Sequence, residues 1–151
     1  MTTEQAERVM EQGEEREYRL HEQVGFILRQ VSQRHASIFS SLMVHDLTPT
    51  QFAAMAILYE RRSVSQNQLG RLTAMDAATI KGVVDRLAKR GITQLEPDPH
   101  DRRRLLVTLT DEGKRIAAEA IPKARLITEQ TLSPLSGEEQ AQLLALLGRM
   151  R

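Results

Sequence analysis

The sequence predicts a mainly α-helical fold with one small β element, and three observations carry that prediction. Apolar residues recur at helical spacing over most of the chain, hydroxyl-led capping signatures punctuate it, and after Gly91 the period switches briefly from 3.6 to 2. With 151 residues, 40% of them hydrophobic, the chain is long enough for one domain with a real core and short for two. It holds no run of 18 apolar residues, and residues 1–17 read as a flexible acidic N-terminus, not a basic-then-apolar signal peptide. The expectation is a cytoplasmic protein with no membrane partner. Cysteine is absent, which excludes disulfides, thiolate zinc sites and cysteine-based peroxide sensing.

Taken in order, residues 18–43 form the first amphipathic stretch, with Leu20, Val24, Ile27, Leu28, Val31, Ile38, Phe39 and Leu42 at spacings of three, four and seven. One long helix is predicted there. Thr48-Pro-Thr-Gln51 supplies an N-cap hydroxyl, a proline at the first helical position and a glutamine to close a capping box, opening a helix through Phe52, Met55, Ala56 and Tyr59. Ser65-Gln-Asn-Gln68 repeats the device ahead of Leu69 and Leu72, giving a short helix ending near Met75. Asp76 is the predicted N-cap of a fourth helix that buries Ala77, Ile80, Val83, Val84 and Leu87 and stops at Gly91. Strands are predicted at 92–95 and 105–109, forming a two-stranded hairpin with a charged tip. Thr110-Asp-Glu then opens a helix running towards Leu132, with Pro122 a candidate kink, and Ser136-Gly-Glu-Glu139 is a capping box for a last helix through Leu143, Leu144, Leu146 and Leu147.

This order makes 48–109 a winged helix-turn-helix DNA-binding domain. The segments 18–47 and 110–151 carry more apolar surface than so small a domain can cover, which predicts dimerisation helices and a two-fold homodimer. Charge supports the reading. Residues 1–23 hold three arginines against seven glutamates, whereas 61–104 hold ten basic residues against five acidic ones, so the middle of the chain carries a net +5 although the whole carries +1. A basic middle third points to a polyanion such as double-stranded DNA.

On the fourth helix, the face opposite the apolar arc presents Ala78, Thr79, Lys81, Gly82, Asp85, Arg86 and Lys89. Ala78 and Gly82 lie one turn apart at its centre, so the backbone can approach base edges closely. Ala78 can meet a thymine methyl, and Thr79 or Lys81 can reach bases or phosphates. Ser65, Gln66 and Asn67, opening the preceding helix, are assigned to the same DNA face. At the wing tip, Asp101-Arg102-Arg103-Arg104 has the shape and charge to enter a minor groove, with Asp101 expected to pair with Arg103 and fix its rotamer. The plainer alternative for the tip is a solvated turn with a surface ion pair.

The segment SQNQLGRLTAMDAATIKGVVDRLAKRGITQLEPDPHDRRRLLVTLTDEGK resembles the winged-helix core of MarR-type regulators, down to the Asp-Arg-Arg wing and the Leu-Thr that opens the next helix. That resemblance implies a homodimer joined by its terminal helices, recognition helices in successive major grooves of a pseudo-palindromic operator, wing arginines in the flanking minor grooves, and repression as the default activity. By matching positions it gives Thr79, Lys81, Arg86, Asp101 and Arg103 DNA-contacting roles. Gly82 departs from the pattern, since many relatives carry arginine there, so no base readout is transferred to it.

MarR-type proteins also resemble one another in a pocket, often filled by a small aromatic acid, between the dimer helices and the DNA-binding lobe. Arg29, Arg34, His35, Phe39 and Met55 are the candidates here: guanidinium, imidazole and an apolar wall suit a planar carboxylate. A lone histidine such as His35 on an apolar stripe is more often a hydrogen-bonded core or dimer-interface residue. The run VGFILRQVSQRHASIF followed by LTPTQFAAMAIL is similar to a subgroup tied to aromatic catabolism, answering to hydroxycinnamoyl thioesters or hydroxylated nicotinate. The implied effector is an aromatic acid or its coenzyme A thioester. No catalytic constellation is visible, no cofactor is expected, and the histidines at 21, 35, 45 and 100 lack metal-ligand spacing. A winged helix that binds an acidic protein in place of DNA is the rival reading.

Overall fold

The computed structural model describes Thr3 and residues 17–151, which form six α-helices and a small sheet. The acidic stretch expected to be flexible lies, apart from Thr3 and Glu17, outside the described residues. The chain divides into two units, residues 1–34 and 35–151. In the first, a single 3-10 turn at Leu20–Glu22 precedes the long helix, which starts later than its apolar pattern suggests: Gln23 is extended and its side-chain amide donates to the Arg19 carbonyl at 3.0 Å. Helix α1 then runs over Val24–Leu42.

Helix α2 spans Pro49–Arg61, and its capping box is complete, with both the Gln51 N–H to Thr48 Oγ1 bond (3.2 Å) and the return bond from the Thr48 N–H to Gln51 Oε1 (3.1 Å). Helix α3 is shorter than predicted, Gln66–Leu72. Ala74 takes a left-handed backbone (φ 54°), the Met75 N–H reaches back to the Gly70 carbonyl at 2.9 Å, and this turn leads into α4. A Cβ at Gly70 would sit 3.1 Å from both Ile80 Cγ2 and the Met75 carbonyl oxygen, so the two helices close on a backbone without a side chain.

Helix α4 covers Ala77–Lys89 with Asp76 as its N-cap. It ends as the sequence predicts, at Gly91 (φ 71°): the Gly91 N–H bonds the Ala88 carbonyl and the Ile92 N–H the Leu87 carbonyl, both at 3.0 Å. Its buried side is Ile80, Val83, Val84 and Leu87, while Ala77, assigned to the core from spacing alone, is exposed.

The sheet has three strands, not two. Strands β2 (Thr93–Pro97) and β3 (Leu105–Leu109) form the predicted hairpin, and β1 (Ser63–Ser65) adds to the other side of β3, giving the antiparallel order β1-β3-β2. Three residues are too few to show alternation, so β1 exists through its pairing with β3. Helix α5 (Asp111–Leu132) continues through Pro122, and α6 (Gly137–Gly148) closes the described chain behind a complete Ser136–Glu139 capping box. The core gathers where α2, α4, the sheet and α5 meet: Leu58, Ile80, Leu87, Ile92 and Val107 are all at most 1% exposed.

One contact at this junction admits no side chain. The first turn of α5 presses on the end of the α4–β2 connection, and a Cβ built on Gly113 would overlap the Ile92 carbonyl oxygen. Gly113→Ala is therefore expected to lower stability by about 3 kcal/mol, read as a reduced urea midpoint at unchanged m-value. A loss below about 0.5 kcal/mol would show that the junction can open at little cost.

Candidate nucleic-acid interface

Helix α4 is positioned by its apolar arc, which leaves a continuous outward face. Ala78, Thr79, Lys81, Asp85, Arg86 and Lys89 are exposed, and Gly82 is half-buried among them. Asp76 fixes the start: its carboxylate accepts the Thr79 N–H at 2.8 Å, and this bond holds its pKa below the usual carboxylate range. One turn further on, Lys81 Nζ lies 2.8 Å from Asp85 Oδ2, a pairing that raises the lysine pKa and fixes its ammonium over the helix face. A Cβ added at Gly82 would meet only the Arg86 guanidinium, nearest atom 3.4 Å, so nothing in the protein's own packing demands glycine there.

Ser65 differs from the exposed role assigned to it. It is 8% exposed and works structurally: its hydroxyl caps α3 by accepting the Gln68 N–H at 3.3 Å, and it also accepts from Arg104 Nη2 at 3.0 Å. Only this half of the predicted capping box forms; the return bond from the Ser65 N–H to the Gln68 side chain is not made. Arg104 is thereby withdrawn from the tip and anchored to the helix-turn-helix. Between them lies a groove of about 380 Å³ lined by Ser65, Gln66, Asn67, Arg71, Arg104 and Leu105.

The wing tip also corrects the expected Asp101–Arg103 ion pair. Asp101 Oδ1 accepts the backbone N–H of Arg103 at 3.1 Å, and its carbonyl accepts the Arg104 N–H at 2.9 Å, so the aspartate shapes the turn itself. A second bond, Asp98 N–H to the Arg104 carbonyl at 2.9 Å, closes the loop below it. Arg102 and Arg103 are exposed and carry no ion pair among the described residues.

The proposed ligand residues are placed less uniformly. Arg29 and Arg34 are exposed on α1 within residues 1–34. His35, in the second unit, has Nδ1 2.8 Å from Thr131 Oγ1 of α5, which orients its ring. Phe39 is buried and meets Phe52 edge to face, with ring centres 6.4 Å apart. Met55 has no exposed surface and belongs to the core, so in this conformation it offers no ligand wall. His45 was overlooked by the sequence reading except as an unsupported metal ligand. Its backbone is left-handed (φ 57°), its Nε2 is 2.7 Å from Glu119 Oε2, and its carbonyl accepts from the Arg90 guanidinium at the end of α4. Among the described residues no group of histidine and carboxylate side chains could hold a metal ion, and no helix is long and apolar enough to cross a membrane.

The helix-turn-helix with its three-stranded wing defines the class as a winged-helix regulator. The model of the MarR family matches residues 47–105. The chain is 41% identical to the HTH-type transcriptional repressor NicR of Pseudomonas putida over 88% of this chain and 85% of that protein. The crystal structure of a probable transcriptional regulator from Pseudomonas aeruginosa matches with a TM-score of 0.85 and 53% identity, covering 88% of this chain and all of that one. Bordetella bronchiseptica BpsR, whose DNA binding is regulated by 6-hydroxynicotinic acid, matches at a TM-score of 0.82 and 37% identity, covering 88% and 96%. The chain belongs to the MarR family.

The Asp76 cap gives a pH dependence with a definite sign. Because its folded pKa is depressed, its stabilisation is complete above the ordinary carboxylate range and is lost as pH falls through the lower folded value. The stability gap between wild type and Asp76→Ala should be widest above about pH 4 and narrow towards about pH 2. Asp76→Asn, which caps without a charge, should show no such narrowing, and urea midpoints at each pH read all three.

Proposed function

We propose that the protein is a homodimeric, ligand-responsive transcriptional repressor that binds a pseudo-palindromic operator and is released by a small aromatic acid or its coenzyme A thioester. The observation that carries the DNA reading is the outward face of α4. Ala78 and Gly82 leave its centre without bulk, cations flank it, and the protein's own packing gives no reason for the glycine. In this reading Thr79, Lys81 and Arg86 contact bases or phosphates, Lys89, Gln66 and Asn67 the backbone, and Arg102 and Arg103 the minor groove. Ser65, Asp101 and Arg104 act by positioning.

Residues 48–109 then form the DNA-binding domain, and 18–47 with 110–151 the dimerisation segments. Supporting this, Leu20, Val24, Ile27, Leu28 and Val31 in the first unit and Leu144, Leu146, Leu147 and Met150 in the second are each at least 39% exposed, an amount of apolar surface that a second copy would cover. Likeness to BpsR favours a hydroxylated nicotinate among aromatic acids, with Arg29, Arg34, His35 and Phe39 as its contacts.

Mobility-shift assays on the protein's own upstream DNA test both halves. A sequence-specific shift is expected, weakened at least about tenfold in Arg103→Ala and reversed by 6-hydroxynicotinic acid or another aromatic acid of the panel. No shift on any duplex at low salt would overturn the DNA reading, and a shift indifferent to every aromatic acid and thioester would overturn the effector reading. Gly82→Ala separates folding from recognition. The variant should be more stable by about 0.5–1 kcal/mol, because alanine is the better helix former, yet bind the operator more weakly. Unchanged operator affinity would contradict close groove approach at this position.

A further inference from the structure

Lys81 and Asp85 stand side by side on the outward face of α4, and stability gives little reason for the pair. A lysine one turn ahead of an acid is the weaker order for such a pair on a helix. Both side chains are more than half exposed, 65% and 53%, so their attraction is screened by water. On a face that meets phosphates, a carboxylate also repels the partner. Asp85 therefore opposes binding to DNA in general, and folding gives no compensating reason to keep it.

Two observations suit the pair to a base edge. Lys81 Nζ lies 2.8 Å from Asp85 Oδ2, which sets a donor and an acceptor next to each other, and the other N–H groups of the ammonium and Asp85 Oδ1 have no hydrogen-bond partner among the described residues. The second is what flanks them: Ala77, Ala78, Gly82 and Ala88 are all small, the three alanines are exposed and Gly82 is half-buried. An aspartate side chain is short, so its carboxylate reaches a base only where the helix backbone comes close. These four residues allow that approach.

We infer that Lys81 and Asp85 act as one specificity-determining unit that reads a single G·C base pair in the major groove, Lys81 over guanine and Asp85 over cytosine. The inference rests on the DNA reading proposed above. Within a G·C pair, guanine O6 accepts a hydrogen bond from cytosine N4, so an acceptor and a donor lie about 2.9 Å apart at the groove edge. This arrangement is the complement of the protein's donor and acceptor, 2.8 Å apart. The ammonium donates to O6 and N7, and the remaining N4 proton is donated to the carboxylate. The other pairs fit less well. C·G exchanges donor and acceptor, and A·T sets the adenine amino group under the ammonium. T·A keeps the order but offers the ammonium one acceptor beside a methyl group in place of two acceptors.

The test lets the full chain select its preferred sequence from a random duplex library and then measures, by fluorescence anisotropy, all four base pairs at each selected position. Wild type should hold one position of each half-site as G·C, about tenfold over A·T and C·G, with T·A second. Asp85→Ala and Lys81→Ala should each cut that margin to about twofold or less at this position alone, while melting as wild type does. Asp85→Ala should also bind a scrambled duplex at least as tightly as wild type, because a charge that repels phosphate is gone. The inference alone is overturned if no selected position prefers G·C, if both variants keep the wild-type preference at every position, or if they weaken all positions alike. If wild type selects no sequence, the DNA reading itself falls and this inference with it.

Discussion

The backbone carbonyl of Ile92 is the point on which the rest of the winged helix depends. Gly91 supplies the left-handed residue that ends α4, so Ile92 enters the core at 1% exposure and its carbonyl is turned towards the start of α5. There it accepts the Thr110 N–H at 3.0 Å and lies within 3.2 Å of the Thr110 hydroxyl, which itself caps α5 by accepting the Gly113 N–H. The absence of a side chain at Gly113 permits the approach. Helix α4, the wing root and α5 are thus fixed to one another by a few backbone groups whose alternatives are buried and unpaired. The Arg90 guanidinium bonded to the His45 carbonyl extends this fixation to the loop between α1 and α2.

Around that rigid junction, charge is sorted by task. Arg104 is spent on holding the wing to Ser65, and Asp101 on shaping the tip, which leaves Arg102 and Arg103 without protein partners. Lys81 is tethered by Asp85 on an exposed helix face, where the pair adds little to stability and serves to orient the ammonium. Most of the basic excess of the middle third is therefore either prepositioned or unengaged. Such a surface favours a polyanion over water and matches the class to which the sequence and structure assign the chain.

Much of this was legible beforehand because it rests on local rules. Thr48, Asp76, Thr110 and Ser136 cap the helices they were expected to cap, and Gly91 ends α4. What escaped sequence reasoning depends on tertiary competition. Ser65 caps its helix as its signature suggests, but its hydroxyl also accepts from an arginine 39 residues away, a link that no local pattern reveals. Strand β1 is three residues long and is defined by a partner more than 40 residues on in the chain. Asp101 could have paired with a guanidinium, and the backbone N–H two residues on won because a turn brings it closer. Gly113 carries no sequence signal beyond its identity, since its cause is a carbonyl from another element. Met55 follows helical spacing into the core, where a pocket wall and a packed side chain have the same periodicity.

The account rests on the α4 face and wing meeting a DNA duplex, and the most direct measurement of that claim is operator affinity as a function of salt, followed by fluorescence anisotropy on a duplex from the protein's own upstream region. Phosphate neutralisation by the basic residues of helix and wing predicts a steep linear fall of log affinity with log salt, with the operator retaining a margin over a scrambled duplex throughout. A flat salt response, or no margin over the scrambled sequence at any salt, would contradict it.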